Sequence, residues 1–249
     1  GGGLFEDVVS LINTKETRAA PEGCRAVAVD VTSGEAVLGL MGPRSREILA
    51  AATLDDVSAE AISFGAVAEI ELGMAPVRIH RVSYVGELGF EIYVSAEFAA
   101  HAFEALWEAG APLGLRPAGM HAMDSCRLEK AFRHFGHDIT DEDHVVEAGL
   151  GFAVKAKRAP GRFGPFIGRD AVLKARETGV SRRLVQFLLE DPEPLLFHGE
   201  PIWRGETLAG HVTSAAYGHT LGGTVALGYV ETSPEESVED LLAADWRIE

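Results

Sequence analysis

Three strand-like runs at residues 67–72, 77–84 and 90–94 follow one another with only a few residues between them. A parallel pairing needs a crossover of a dozen residues or more, so links this short force neighbouring strands to run antiparallel. Upstream, Glu35 to Met41 is another short apolar run. Residues 24–31 alternate as Cys-Arg-Ala-Val-Ala-Val-Asp-Val, and Thr32-Ser33-Gly34 reads as the turn between these two strands. Helices are interspersed. Gly42-Pro43 punctuates, and 44–52 reads as a helix with proline at its first position, with a second short helix over 55–61. Ser95 is the expected N-cap of a helix through Trp107, with Phe98, Ala102 and Leu106 spaced at i, i+4 and i+8, and Gly110 ends it. Pro117 opens a further helix to about Phe132, with Met120, Asp124, Arg127 and Ala131 along one side, and Met120 and Met123 are expected in the core. Strands and helices joined mostly by short links predict an α+β fold rather than a doubly wound parallel sheet. No G-x-G-x-x-G opens a helix after a strand, so the sequence holds no dinucleotide-binding unit.

Residues 155–168, rich in Gly, Pro and Arg, are the predicted linker, with a helix over 169–177. Beyond Ser181 the texture changes to short strands at 183–189, 200–203, 208–213 and 225–229, which reads as a small β-barrel or sandwich. The predicted organisation is a domain over 1–165, a linker helix over 166–180 and a C-terminal β-barrel over 181–249.

Of 249 residues, 38 are Asp or Glu and 22 are Lys or Arg, for a net charge of -16. That balance argues against a nucleic-acid or anionic-lipid partner, whose phosphates need a basic face. The one cation-rich stretch, from Arg158 to Arg183, reads mainly as solvated positions around the linker. Its second reading is that one or two of its arginines grip an anionic ligand. No apolar run approaches the roughly 20 residues of a membrane span. The N-terminus, beginning Gly1-Gly2-Gly3, has no basic-then-apolar signal pattern and reads as an expression scar or the middle of a longer chain. Two distant cysteines, Cys24 and Cys126, read as free thiols in a reducing compartment, hence a cytoplasmic setting. His134, His137 and His144 are the obvious metal candidates, but with neither a C-x-x-C pair nor an H-E-x-x-H pattern they read as turn and surface histidines, and no metal is expected.

The segment Tyr84-Val85-Gly86-Glu87-Leu88-Gly89-Phe90-Glu91 carries the chemistry. Gly86 and Gly89 can supply the positive φ of a tight loop, which would bring Tyr84 and Glu91 close to facing each other. On the last strand Phe90, Ile92 and Val94 share one face, while Glu91 and Tyr93 share the other. A phenol beside a carboxylate can hold a flat heteroaromatic ligand: the ring packs on its plane and the carboxylate accepts two N–H bonds. By spacing alone the first reading is a solvent-facing carboxylate near a rim tyrosine, and the ligand pair is the second. Glu87 reads as a solvated loop residue, and Asp124 with Arg127 as a local ion pair.

The pattern Tyr84-x-Gly86-Glu87-x-Gly89-Phe90-Glu91 resembles the signature of the glycine-cleavage T-protein (aminomethyltransferase) family. Asp124-Ser125-x-Arg127-Leu128-Glu129 resembles that family's helix, and Glu147-Ala148-Gly149-Leu150-Gly151-Phe152 the segment closing its first half. Phe166-Ile167-Gly168-Arg169, Arg182-Arg183-Leu184-Val185 and Thr213-Ser214 follow in the family's order. His121 to Ser125, Leu195 to Ile202 and Ala216 to Gly222 look more like the folate domains of dimethylglycine and sarcosine dehydrogenases. The resemblance implies the aminomethyltransferase fold with a C-terminal barrel, and a tetrahydrofolate site. In it Tyr84 packs on or bonds the cofactor, Glu91 anchors pterin N–H groups, Phe152 gives an aromatic wall, and Tyr93 lies nearby.

The implied activity is transfer of a one-carbon unit from an amine-derived donor to tetrahydrofolate, with a flavin domain or a lipoyl carrier protein as the implied partner. The family's opening stretch, with its aspartate, has no match before Asp30. The expectation is an N-terminally shortened member, with no catalytic residue assigned. Two other readings stand beside it: a non-catalytic folate-binding or assembly protein, and an inactive fragment of a dimethylglycine or sarcosine dehydrogenase. Relatives of the assembly type carry a Lys-Gly-Cys signature, where this chain has Arg133-His134-Phe135-Gly136-His137-Asp138.

Overall fold

The computed structural model describes residues 29–157, 166 and 168–249. They fall into two compact units: one takes the chain up to Val82 together with Leu88–Leu115, the other takes Ser83–Glu87 and Arg116–Glu249. Both combine helix and sheet, so the fold is α+β, as the short links require.

The first unit is a four-stranded antiparallel sheet with spatial order β1-β4-β3-β2, where β1 is Glu35–Met41, β2 Val67–Leu72, β3 Ala75–His80 and β4 Gly89–Ser95. Period-two alternation sets its two faces. Ala75, Val77 and Ile79 of β3 and Phe90, Ile92 and Val94 of β4 are buried, as are Ile70 and Leu72 of β2. Against this face pack α1, Ser45–Ala52, through Ile48 and Leu49, and α2, Ala99–Gly110, through Ala102 and Leu106. Phe90 has no solvent exposure at the centre of this layer. Phe90→Ala is therefore expected to cost about 3–5 kcal/mol in urea denaturation, and a loss below about 1 kcal/mol would mean that the ring does not anchor this core.

In the second unit, α3 (Met120–Glu129) and α4 (Arg169–Thr178) precede a five-stranded sheet. Its strands are β5 Arg182–Leu188, β6 Pro201–Arg204, β7 Thr207–Gly218, β8 Gly223–Glu231 and β9 Trp246–Ile248, in the order β5-β8-β7-β6-β9. A short helix α5, Val238–Leu242, precedes β9. Leu128 of α3 packs with Leu184, Val225 and Leu227 on one side of the sheet. Val185, Ile202, Val212, Ala226, Val230 and Leu241 form a second buried cluster. Gly210 lets β7 approach β8: a Cβ there would collide with the carbonyl oxygen of Tyr229.

Several sequence expectations are corrected. β3 ends at His80, not Tyr84, and Arg81 turns back to donate its amide to the Ala66 carbonyl. Residues 55–61 make turns, with a single helical bond from Ile62 to Ser58. Ser95 is the last residue of β4 and caps nothing; a 3-10 turn, Ala96–Phe98, leads into α2 instead. α3 is shorter than expected because Ala131 takes φ +53, a conformation no helix continues through. Met120 is 60% exposed rather than core. Of the expected strand at 24–31, residues 24–28 lie outside the described residues and 29–31 carry no pairing. The predicted linker across 158–165 also lies outside the described residues.

Candidate functional site

The outward face of the first sheet carries Glu91 and Tyr93. Register places Glu91 between Gly39 of β1 and His80 of β3, and Tyr93 between Val37 and Arg78. The Tyr93 hydroxyl donates to Glu91 Oε2 at 2.6 Å. That bond, with burial and the Glu91 charge adding to it, holds the phenol above its usual range. Arg78 lies over the Tyr93 ring, 5.1 Å from its centroid, and reaches Glu35 at 3.4 Å. Glu91 is thus a half-buried carboxylate with one oxygen fixed by a phenol. Each carboxylate oxygen has two acceptor sites, so capacity remains for further N–H donors.

Tyr84 is not the cross-strand neighbour of Glu91, because that place belongs to His80. The expected tight hairpin is instead a connection of eight residues, and Tyr84 belongs to the second unit. There its ring stacks on Phe132, with centroids 6.0 Å apart, and its hydroxyl donates to the Arg133 carbonyl at 2.8 Å. Burial pushes its phenol up, and the charge of Arg127 only partly offsets this. Phe152 sits in a 3-10 turn, Gly151–Ala153, and is 83% exposed. Of the four predicted cofactor residues, the structure joins Glu91 to Tyr93 directly.

The second unit holds a buried polar knot that sequence spacing showed only in part. Arg127 Nε pairs with Asp124 at 3.1 Å, the expected local ion pair. Its Nη1 also reaches Asp138 at 2.5 Å and the Phe132 carbonyl at 3.0 Å, and its Nη2 donates to Ser214 Oγ at 2.9 Å. Thr213 Oγ1 and the His134 amide complete the cage around Asp138, at 2.7 and 2.9 Å. Burial pushes the Asp138 carboxyl up, yet the hydrogen bonds from Thr213, Ser214 and His134 and the Arg127 charge outweigh it, so the group stays below the usual carboxylate range. No local sequence signal marks Asp138, since its partners lie on either side of it at distances up to 75 residues.

The remaining predicted groups are scattered. The His134 and His137 rings are 4.4 Å apart, and among the described residues no group of three His, Cys, Asp or Glu side chains is arranged to hold a metal. Cys126 is exposed and has no disulfide partner among the described residues, and Cys24 lies outside them. In the cation-rich stretch, Arg182 pairs with Asp143 and Glu147, and Arg176 donates to the Gly151 and Val154 carbonyls. Arg158 and Arg162 lie outside the described residues.

Comparison with known proteins adds to this geometry. Residues 6–158 match the GCVT N-terminal domain, and residues 182–245 match the glycine cleavage T-protein C-terminal barrel domain. The chain is 42% identical over 215 residues to a 4-methylaminobutanoate oxidase (formaldehyde-forming) of Paenarthrobacter nicotinovorans, covering 86% of this chain and 26% of that protein. It is 39% identical over 217 residues to an aminomethyltransferase of Halothermothrix orenii, covering 86% of this chain and 58% of the relative. It therefore spans between about a quarter and three fifths of the length of these relatives. The crystal structure of glycine cleavage system aminomethyltransferase T from Bartonella henselae superposes with a TM-score of 0.72 at 28% identity, over 89% of this chain and 58% of that one. The chain belongs to the glycine cleavage T-protein family and carries the aminomethyltransferase-like fold, with that family's C-terminal barrel domain.

Proposed function

We propose that this chain binds tetrahydrofolate and transfers to it a one-carbon unit from an amine-derived donor, as a transferase of one-carbon metabolism. The observation that carries the reading is the Glu91–Tyr93 pair: a carboxylate on an open sheet face, oriented by a 2.6 Å hydrogen bond, in a member of the T-protein family. A pterin edge presents N–H donors, and a carboxylate with unused acceptor sites is the matching partner. Within the first unit, Glu91 anchors the pterin and Tyr93 holds Glu91 in place. When bound, tetrahydrofolate would supply N5 and N10, each forming a bond to the one-carbon unit as that carbon's two bonds to the donor break and the donor amine leaves, giving 5,10-methylene-tetrahydrofolate. The chain's own contribution is proximity, orientation and a nearby negative charge. No proton-transferring residue is assigned.

The division into a folate-binding part over 1–165, a linker helix over 166–180 and a barrel over 181–249 belongs to the same proposal. So do a cytoplasmic setting and a flavin domain or lipoyl carrier protein as donor-side partner. Among the described residues no helix is long and apolar enough to cross a membrane.

Titration of the chain with tetrahydrofolate by calorimetry tests the reading: saturable one-to-one binding is expected, and its absence overturns it. Tyr93→Phe removes one hydrogen bond to a charged acceptor, worth about 1.5–3 kcal/mol. At least a tenfold loss of folate affinity is expected, with the chain still folding cooperatively in thermal denaturation. Equal affinity would mean that Glu91 needs no such support.

A further inference from the structure

We propose that the cleft between α3, the 134–137 loop, the 195–198 loop and β7 binds a small alkylammonium ion, with Asp124 as its counter-ion. The cleft lies wholly within the second unit and measures about 510 Å³, inside the range of small-molecule sites, about 300–1,000 Å³. The inference goes beyond the folate reading and does not rest on it.

Charge selects the ligand. Arg127 lines the floor but is 2% exposed, and its guanidinium is spent on Asp124, Asp138, Ser214 and the Phe132 carbonyl. The next guanidinium, Arg133, is spent on the Ala131 and Ala148 carbonyls. Asp138 has no exposed side-chain surface, whereas Asp124 keeps 30% of its own. Two carboxylates bonded to one guanidinium leave a negative charge over, and it surfaces at Asp124. Only Asp124 Oδ1 is engaged, by Arg127 Nε, with His134 Nδ1 at 3.6 Å, and Oδ2 takes no hydrogen bond among the described residues. No free guanidinium or ammonium group lines the cleft; its five histidines, His121, His134, His137, His198 and His219, are the donors left for a phosphate or carboxylate, and the butyrate probe tests them.

Shape selects the rest of the ligand. Tyr217 and His219 stand edge to face, 5.2 Å apart, on one wall. Leu195 and Phe197, which also line the cleft, are 59% and 68% exposed. Aromatic faces stabilise an adjacent cation by about 0.5–1 kcal/mol at exposed sites, and the Leu195–Phe197 shelf offers apolar surface to an alkyl group. An ammonium on Asp124 with its alkyl chain on that shelf uses both the charge and the apolar surface of the cleft.

The test is an NMR titration of the full chain, following histidine ring protons, with butylammonium, butan-1-ol and butyrate as probes. Saturable shifts are expected with butylammonium, at least tenfold tighter than with either of the others. Asp124→Asn is expected to weaken butylammonium at least tenfold. Leu195→Arg, which places a positive charge at an exposed rim away from the buried knot, is expected to do the same with an unchanged melting temperature, and it decides the matter alone if Asp124→Asn does not fold. The proposal is overturned if butylammonium gives no saturable shift, if butanol or butyrate binds as well, or if the variants that fold bind like the parent chain. Calorimetry with tetrahydrofolate on the same samples separates the two readings. Folate binding without ammonium binding sinks this inference only, and ammonium binding without folate binding sinks the folate reading only.

Discussion

Glu91→Ala is expected to lower tetrahydrofolate affinity by about a hundredfold or more while leaving the fold intact. Two hydrogen bonds to a charged acceptor contribute about 1.5–3 kcal/mol each, and each 1.4 kcal/mol is a factor of ten. The side chain stands on the outward face of β4, away from the buried row of Phe90, Ile92 and Val94, so truncation opens no core cavity. What it leaves behind is the Tyr93 hydroxyl without its acceptor, on a surface where water replaces it. Calorimetry reads the affinity and thermal denaturation the fold. An alanine variant that binds as tightly as the parent would remove Glu91 from the pterin site, and with it the role given to Tyr93. Glu91→Gln is the finer probe: it keeps the shape and one acceptor oxygen but not the charge, and is expected to fall between the two.

Asp138→Ala is expected to destabilise the second unit by about 3–5 kcal/mol, because removing one partner of a buried ion pair strands the other. Arg127 would keep Asp124, yet that carboxylate sits on the other edge of the guanidinium and cannot fill the place left at Nη1. The pH dependence follows in sign. The folded-state carboxyl of Asp138 lies below its ordinary value, so its stabilising contribution is fully present above the usual carboxylate range. It is lost as pH falls below about 4 and the group protonates. Urea denaturation from neutral to acid pH should therefore show a stability slope in the parent chain that is reduced in Asp138→Asn. Equal slopes would assign the acid sensitivity to other carboxylates.

How much of this was legible beforehand divides along the range of the interactions. β1 and β2 were readable to the residue, since alternation and glycine or proline punctuation are local signals. The two faces of β4 were readable for the same reason, and so was the Asp124–Arg127 pair, three residues apart on one helix. The connection from Arg81 to Leu88 misled because Val82 and Tyr84 continue a strand-like pattern, while the backbone turns away once Arg81 bonds to Ala66. Met120 misled because an apolar side chain at the first turn of a helix need not face its packing side. β9 and α5 are three and five residues long, too short for any periodicity to register. Asp138, Thr213 and Ser214 were invisible as a group, since a hydrogen-bond cage closed over 75 residues leaves no trace in spacing.

That cage also bears on how the chain can be dissected. α3 and the 134–138 loop precede position 181, whereas Thr213 and Ser214 follow it, so the proposed folate-binding part and barrel are tied to each other through this cage. A recombinant piece ending at position 181 would bury Arg127 and Asp138 without two of their partners. Closing so long a loop before any contact rewards it is entropically slow. The Arg127–Ser214 link therefore belongs to the late stages of folding, and the nascent helix must wait for the barrel strands to be synthesised before its arginine is fully satisfied.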